Sequence, residues 1–263
     1  MFQSMRRAQV VKLLLRGGLP ITIMALCATA LAPHITHQLL LSIPAQLGAI
    51  SGSAWMGAII FTLISLWTIG RYDGVAHQHF ATRVPPHQAR LAGTISIALA
   101  QTLGFGIFTG ALARWRILTS LSLKNSLQLS AFVSVSFMIC WAIFTAFICL
   151  TFQGPKWATL PSIAVVFLTP LALFAMFRWP NLSIKSLRFH FPNLQSSAAI
   201  LFWTVIDTTA VGAAMFMLLP AVAEISFSVF LPLFLLALGA ALFSNTPGGV
   251  GPFELMMLGL LQI

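Results

Sequence analysis

Charge is the scarcest property of this sequence. Only 7% of its 263 residues are Asp, Glu, Lys or Arg, where a soluble domain carries about a quarter, and 59% are apolar. That scarcity excludes a soluble globular chain, because no soluble fold hides so much apolar surface. Acids are rarer still, four against fourteen Lys and Arg, so the face turned to the cytoplasm and its anionic lipids should be strongly basic. Nucleic acid would also suit a basic chain. It is excluded as a partner here because the basic residues are spread over short loops between apolar runs. Cysteine is limited to Cys27, Cys140 and Cys149, all inside apolar runs and without metal-ligand spacing. They read as small buried apolar residues, and no metal or other cofactor is called for. His77 and His79, two apart, read as part of a solvated loop.

What the chain has in abundance is long apolar runs. Crossing roughly 30 Å of hydrocarbon takes about 20 helical residues, and suitable runs occupy 17–36, 53–70, 92–113, 129–150, 159–177, 198–219 and 226–243, with an eighth starting at Phe253. The expected fold is therefore an all-α integral membrane protein, one polytopic domain over 1–263 with seven or eight hydrophobic segments. Arg6, Arg7, Lys12 and Arg16 precede a first run ending in "ATALA", which also suits a signal peptide. In either case the N-terminus begins in the cytoplasm.

The distribution of Lys and Arg orients such a bundle. If every run crosses, Arg6, Arg7, Lys12, Arg16, Arg71, Arg83, Arg90 and Lys156 face Arg114, Arg116, Lys124, Arg178, Lys185 and Arg188 across the membrane, with almost no bias. If run 92–113 enters and returns to the same side, Lys156 alone lies outside. The second arrangement satisfies the rule. Within that run, "QTLGFGIFTGALARWR" holds Gly104, Gly106 and Gly110 near its centre. These glycines either break the helix or, as Gly106 and Gly110, form a small-residue packing face. An echo follows at the end of run 226–243. "QTLGF" at 101–105 and "NTPGG" at 245–249 share the order amide, Thr, any residue, Gly, and discontinuous helices that meet near the midplane are a common transporter site. Two glycine-broken, re-entrant segments are expected.

The second break, "SNTPGGVGPFE" at 244–254, contains Asn245, Gly248, Gly249 and Gly251, whose amides could face a cavity. Pro252 suits the first turn of a following helix, with Gly251 as its cap. Glu254 either offsets that helix dipole or contacts a ligand. Arg114 shares a helical face with Gly106 and Gly110 and either grips a lipid phosphate or snorkels to the surface. Asp207 sits at the middle of an apolar run. A carboxylate there costs on the order of 2.5–3.5 kcal/mol on insertion scales, so it must face a polar interior or a partner. In "RYDGVAHQHFATRVPPHQAR" at 71–90, read as a cytoplasmic loop, Tyr72 and Asp73 fall at the membrane interface. Arg71 and Asp73 form no more than a surface pair, and Tyr72 and Asp73 are candidates for a gating role. The loop "FRWPNLSIKSLRFHFPN" at 177–193 mixes Trp and Phe with Arg and Lys, which suits a segment lying on anionic lipid.

The motifs "GRYDGVAHQHF", "AQTLGFGIFTGALARWRIL" and "FSNTPGGVGPFE" resemble the membrane region of lysylphosphatidylglycerol synthases, the multiple peptide resistance factor (MprF) family, and related inner-membrane proteins with the Pro-Gly-Gly-hydrophobic-Gly motif. The resemblance implies a multi-pass protein of the bacterial cytoplasmic membrane that moves aminoacylated phosphatidylglycerol between leaflets. The lipid headgroup would meet Gly104, Gly106, Gly110, Arg114, Asp207, Asn245, Gly248, Gly249, Gly251 and Glu254. In that family a soluble C-terminal domain transfers the amino acid to the lipid. This chain stops nine residues after Glu254, which implies a fragment or a shortened homologue. The alternative function is the membrane portion of a phosphatidylglycerol lysyltransferase. The implied partners are the membrane and an anionic or aminoacylated phospholipid, with homo-oligomerisation left open.

Overall fold

The computed structural model describes residues 18–152, 154–178, 181–184, 187–190, 193–220 and 225–261. The expected signal-like segment with Arg6, Arg7, Lys12 and Arg16 lies outside them, as do Trp179 and Lys185. The described chain is helical, as expected for an all-α membrane protein. Its elements are α1 (Gly18–His34), α2 (His37–Ala49), α3 (Gly52–His79), α4 (Pro86–Leu103), α5 (Gly106–Ile117), α6 (Leu123–Thr151), α7 (Lys156–Arg178), α8 (Leu194–Met217), α9 (Phe227–Ser244) and α10 (Pro252–Leu261). Polar caps set several of the starts. The side chains of Ser51, Ser122 and Asn193 accept hydrogen bonds from the amides of Ala54, Asn125 and Ser196, which relieves the unpaired donors of a first helical turn.

Five of these helices, α3, α6, α7, α8 and α9, are long and apolar enough to cross a membrane, and α1 with α2 could supply a sixth although the pair bends by 89°. The seven or eight segments expected from the runs are thus not all recovered. The first run is covered by α1, which ends at a corner at residues 35–36 and counts only together with α2, and run 92–113 is divided between α4 and α5, neither of which joins the set. Lipid-facing surface is plentiful. Trp55, Ile59, Leu63 and Trp67 on α3 and Leu160, Phe167, Leu171 and Phe174 on α7 are exposed, as suits helices whose solvent is hydrocarbon.

Two features depart from the reading of the loops. Helix α3 runs on to His79, so the first nine residues of the supposed loop 71–90 are helical. The helix continues through Arg71, Tyr72 and Asp73 because the Tyr72 hydroxyl and the Asp73 carboxylate find partners inside the bundle. The second basic segment contains an antiparallel hairpin, Asn181–Ile184 (β1) paired with Leu187–His190 (β2), with Asn181 opposite His190.

Helix α3 is central. It packs on α4 and α8, and its glycines permit close approach. A Cβ at Gly70 would lie 2.9 Å from the Arg90 carbonyl oxygen, and one at Gly93 of α4 would overlap Asp73. An apolar cluster of Ile69, Tyr72, Ala92, Leu118, Leu121 and Leu129 ties α3, α4 and α6 to the α5–α6 connection. A second cluster, including Trp141, Phe230, Phe234 and Met257, joins α6, α9 and α10.

Candidate functional site

Both glycine-rich segments break the helix. After α4, Gly104 takes φ 77°, ψ −166° and Phe105 is left-handed at φ 56°, ψ 19°. A side chain is not tolerated in the first of these conformations. The Thr109 hydroxyl donates to the Gly104 carbonyl at 2.8 Å, occupying an acceptor that the break exposes. Helix α5 then turns back on α4: a Cβ at Gly110 would sit 3.7 Å from the Ala100 Cβ. Gly93 on α4 and Arg114 on α5 both reach Asp73, so the chain passes the same level of α3 before and after the break. Of the two alternatives posed in the sequence the break is present, and of the glycine pair only Gly110 packs on a neighbouring helix, Gly106 facing Asn245 instead.

The second break has its own reversal. Asn245 ends α9 in the left-handed conformation (φ 56°, ψ 21°), and Gly248, Gly249 and Gly251 all have positive φ. Helix α10 runs back along α9, with the Phe253 ring 6.0 Å from that of Phe234. Two of the amides expected to be free are taken. Gly249 N donates to the Thr246 carbonyl at 3.0 Å, and Gly251 N to Glu254 Oε2 at 2.6 Å. Glu254 is therefore engaged as a cap, with Pro252 beginning the helix as expected.

The two breaks meet. A Cβ on Gly104 would lie 3.3 Å from both the Asn245 carbonyl oxygen and the Pro247 nitrogen, and one on Gly106 would lie 3.4 Å from Asn245 Oδ1. The sequence echo thus marks segments that touch. The repeat of conformation is partial: the fourth and fifth positions of both segments have positive φ, whereas the first is helical at Gln101 and left-handed at Asn245.

Two buried acids lie on either side of α3. Asp73, fully buried, accepts from two guanidinium nitrogens of Arg114, Nε to Oδ1 at 2.7 Å and Nη2 to Oδ2 at 2.6 Å, while the third, Nη1, donates to Ser130 Oγ at 2.9 Å. Asp207 of α8, 7% exposed, accepts from Ser65 Oγ at 2.6 Å and Tyr72 Oη at 3.2 Å. The cost of a carboxylate at membrane depth is thus offset by partners on α3. Tyr72 and Asp73, expected at the membrane interface, are buried within the bundle, 2% and 0% exposed. Arg71 is not paired with Asp73; its guanidinium carbon sits 4.0 Å above the Trp67 ring. Arg114 neither snorkels nor presents a free fork, being 2% exposed and engaged through all three guanidinium nitrogens by Asp73 and Ser130. Gly110 leaves room for it, since a Cβ there would approach Nη1 to 2.9 Å.

Several buried polar atoms on α3, α4 and α6 have no protein partner. His77 Nε2 lies 4.0 Å from Asp73 Oδ1, and it, Ser96 Oγ and Ser126 Oγ are buried and unbonded. His77 Nδ1 is held by the Thr82 hydroxyl at 2.5 Å. Beside His77 opens a cavity of about 540 Å³, lined by Arg71, Arg83, Arg90, His77, Thr82 and Trp203 among others. Sequence reasoning did not single out Arg83 and Arg90. The available signal was the arginine content of 71–90, discounted because basic loops are ordinary in membrane proteins. Among the described residues no group of three or more His, Cys, Asp or Glu could hold a metal ion, and the three cysteines are free and buried.

No family model matches the chain. It is 25% identical over 219 residues to an uncharacterized protein of Synechocystis sp., slr0712, in a match that spans 78% of this chain and 67% of that protein.

Proposed function

We propose that this chain carries the headgroup of an anionic or aminoacylated phospholipid, of which lysylphosphatidylglycerol is the type suggested by the resemblance, across the bacterial inner membrane. The observation that carries the reading is the meeting of two helix reversals at Gly104, Asn245 and Pro247. Non-helical backbone at membrane depth is tolerated only where protein covers it or where it lines a cavity. From Gly93 to Leu103 helix α4 rises roughly 15 Å, about half the hydrocarbon thickness. With the Asp73 level near one membrane surface, the two tips fall near the midplane, where a headgroup needs a substitute for water. The acyl chains remain in lipid alongside.

The reading differs from the sequence expectation in how roles are divided. Arg114 and Asp207 hold the scaffold around α3, and the tip residues Gly104, Gly106, Asn245 and Gly248 are what a passing headgroup meets. The test uses the full protein in liposomes with labelled lysylphosphatidylglycerol in one leaflet. The expected result is leaflet exchange faster than in protein-free vesicles. Equal exchange with and without the protein overturns translocation and leaves the membrane-anchor function of a lysyltransferase.

A further inference from the structure

The cavity at the end of α3 has a composition that neither the fold nor the translocation reading uses. Arg71, Arg83 and Arg90 all line it, with His77 and Thr82 beside them. Among the described residues, the carboxylate ion pairs are those of Asp73 with Arg114 and His77, so no acid neutralises these three arginines. Three cations around one void repel each other, and the fold spends structure on keeping them there. Arg71 is fixed by stacking on Trp67 at 4.0 Å, with Trp203 at 5.6 Å. The Arg90 side chain lies across Gly74, whose missing Cβ would fall 3.6 Å from its Nε. Arg83 occupies the left-handed region (φ 60°), as does Ala81 (φ 49°), in a connection closed by Pro85 and Pro86. Left-handed conformations without glycine are disfavoured and concentrate at functional sites. Between them Thr82 anchors His77, which fixes the floor of the cavity.

We infer that this cavity is a binding site for a phosphate group, a monoester or diester carried on a polar headgroup. Planar guanidinium forks match phosphate oxygens. The indole of Trp203 and the aliphatic wall from Val75, Val84 and Ala199 suit the carbon skeleton next to that phosphate. Bound phosphate relieves the repulsion among the arginines, and its volume fits a space of about 540 Å³. The site stands apart from the tips, so a phosphate docks here whether or not the tips translocate lipid.

The experiment uses the full chain in phosphatidylcholine nanodiscs, titrated with sn-glycerol 3-phosphate, short-chain phosphatidylglycerol and short-chain phosphatidylcholine. Binding of the first or second is expected, with preference for phosphatidylglycerol assigning a lipid source and equal binding a free phosphate ester. Arg83→Gln with Arg90→Gln should weaken it by about tenfold or more, as expected for lost charge-assisted hydrogen bonds, whereas the two Lys replacements should retain more of it. A second measurement needs no variant. Phenylglyoxal labelling read by peptide mass spectrometry should show Arg83 and Arg90 protected by the bound ligand while exposed Arg116 reacts unchanged. Failure of both phosphate compounds to bind, binding indifferent to the Gln replacements, or equal labelling with and without ligand overturns the site. None of these outcomes bears on leaflet exchange.

Discussion

Arg114→Ala is expected to destabilise the protein by about 3–5 kcal/mol, the usual consequence of leaving one member of a buried pair uncompensated. Both Asp73 oxygens accept from Arg114, and among the described residues the other basic side chain within ion-pairing distance is His77 at 4.0 Å. With typical stabilities of about 5–15 kcal/mol, such a loss removes much of the folded population at working temperature. The signature that separates ion-pair loss from a packing defect is the double replacement. Asp73→Leu with Arg114→Met removes both charges together, so it should recover most of what the single change loses. Arg114→Lys should fall between, since a single ammonium cannot reproduce the two-point contact. Thermal unfolding in detergent, followed by fluorescence size exclusion, reads all four proteins. An Arg114→Ala protein that unfolds at the wild-type temperature contradicts the pairing. Because this change lowers the amount of folded protein, Arg114 is a poor probe of transport, whatever its original appeal as a phosphate ligand.

Gly104→Val is expected to abolish leaflet exchange, with a smaller loss of stability than Arg114→Ala. Gly104 adopts a backbone conformation that side chains essentially do not enter, at about 1–3 kcal/mol of strain for any other residue. The new side chain would also meet the Asn245 carbonyl and the Pro247 nitrogen at 3.3 Å, so the two tips must part. Relief is confined to the tips, because Asp73, Arg114 and Ser130 lock the other end of the α4–α5 pair. Gly106→Ala faces only Asn245 Oδ1 at 3.4 Å and should reduce exchange less. Exchange rates in liposomes, measured on protein with an intact unfolding transition, test the order wild type, Gly106→Ala, Gly104→Val. Wild-type exchange by Gly104→Val would mean the tips take no part.

The apolar runs located α3, α6, α7, α8 and α9 because length and hydropathy are properties of contiguous sequence. The break at Gly104 was also legible, since three glycines within one run and a lopsided charge count agree on it. The partnerships were not. Asp73 and Arg114 are forty-one positions apart, and nothing local says that a carboxylate beside Arg71 will ignore it for an arginine two helices later. The same residues hid the end of α3: "RYD" has the polarity of a loop, and only the tertiary partners make it helix interior. Glu254 shows the opposite case. Its capping contact spans three residues, and an acid in the first turn after Gly-Pro is a signal the sequence displays in full. The arginine cavity drew no notice because it requires α3, the corner at 80–85, the start of α4 and α8 to come together.

Everything proposed for the tips depends on α4 and α5 turning back rather than crossing. The most direct measurement is the sidedness of two exposed positions, Ala81 before α4 and Ser120 after α5, each as a lone cysteine in protein lacking Cys27, Cys140 and Cys149. The reagent is a membrane-impermeant thiol label applied to cells and to inverted vesicles. Both positions should react from the same, cytoplasmic side, because the chain on either side of the hairpin is fixed to Asp73 through Gly93 and Arg114. Labelling of Ala81→Cys and Ser120→Cys from opposite faces would make α4 and α5 a single crossing and contradict the re-entrant site.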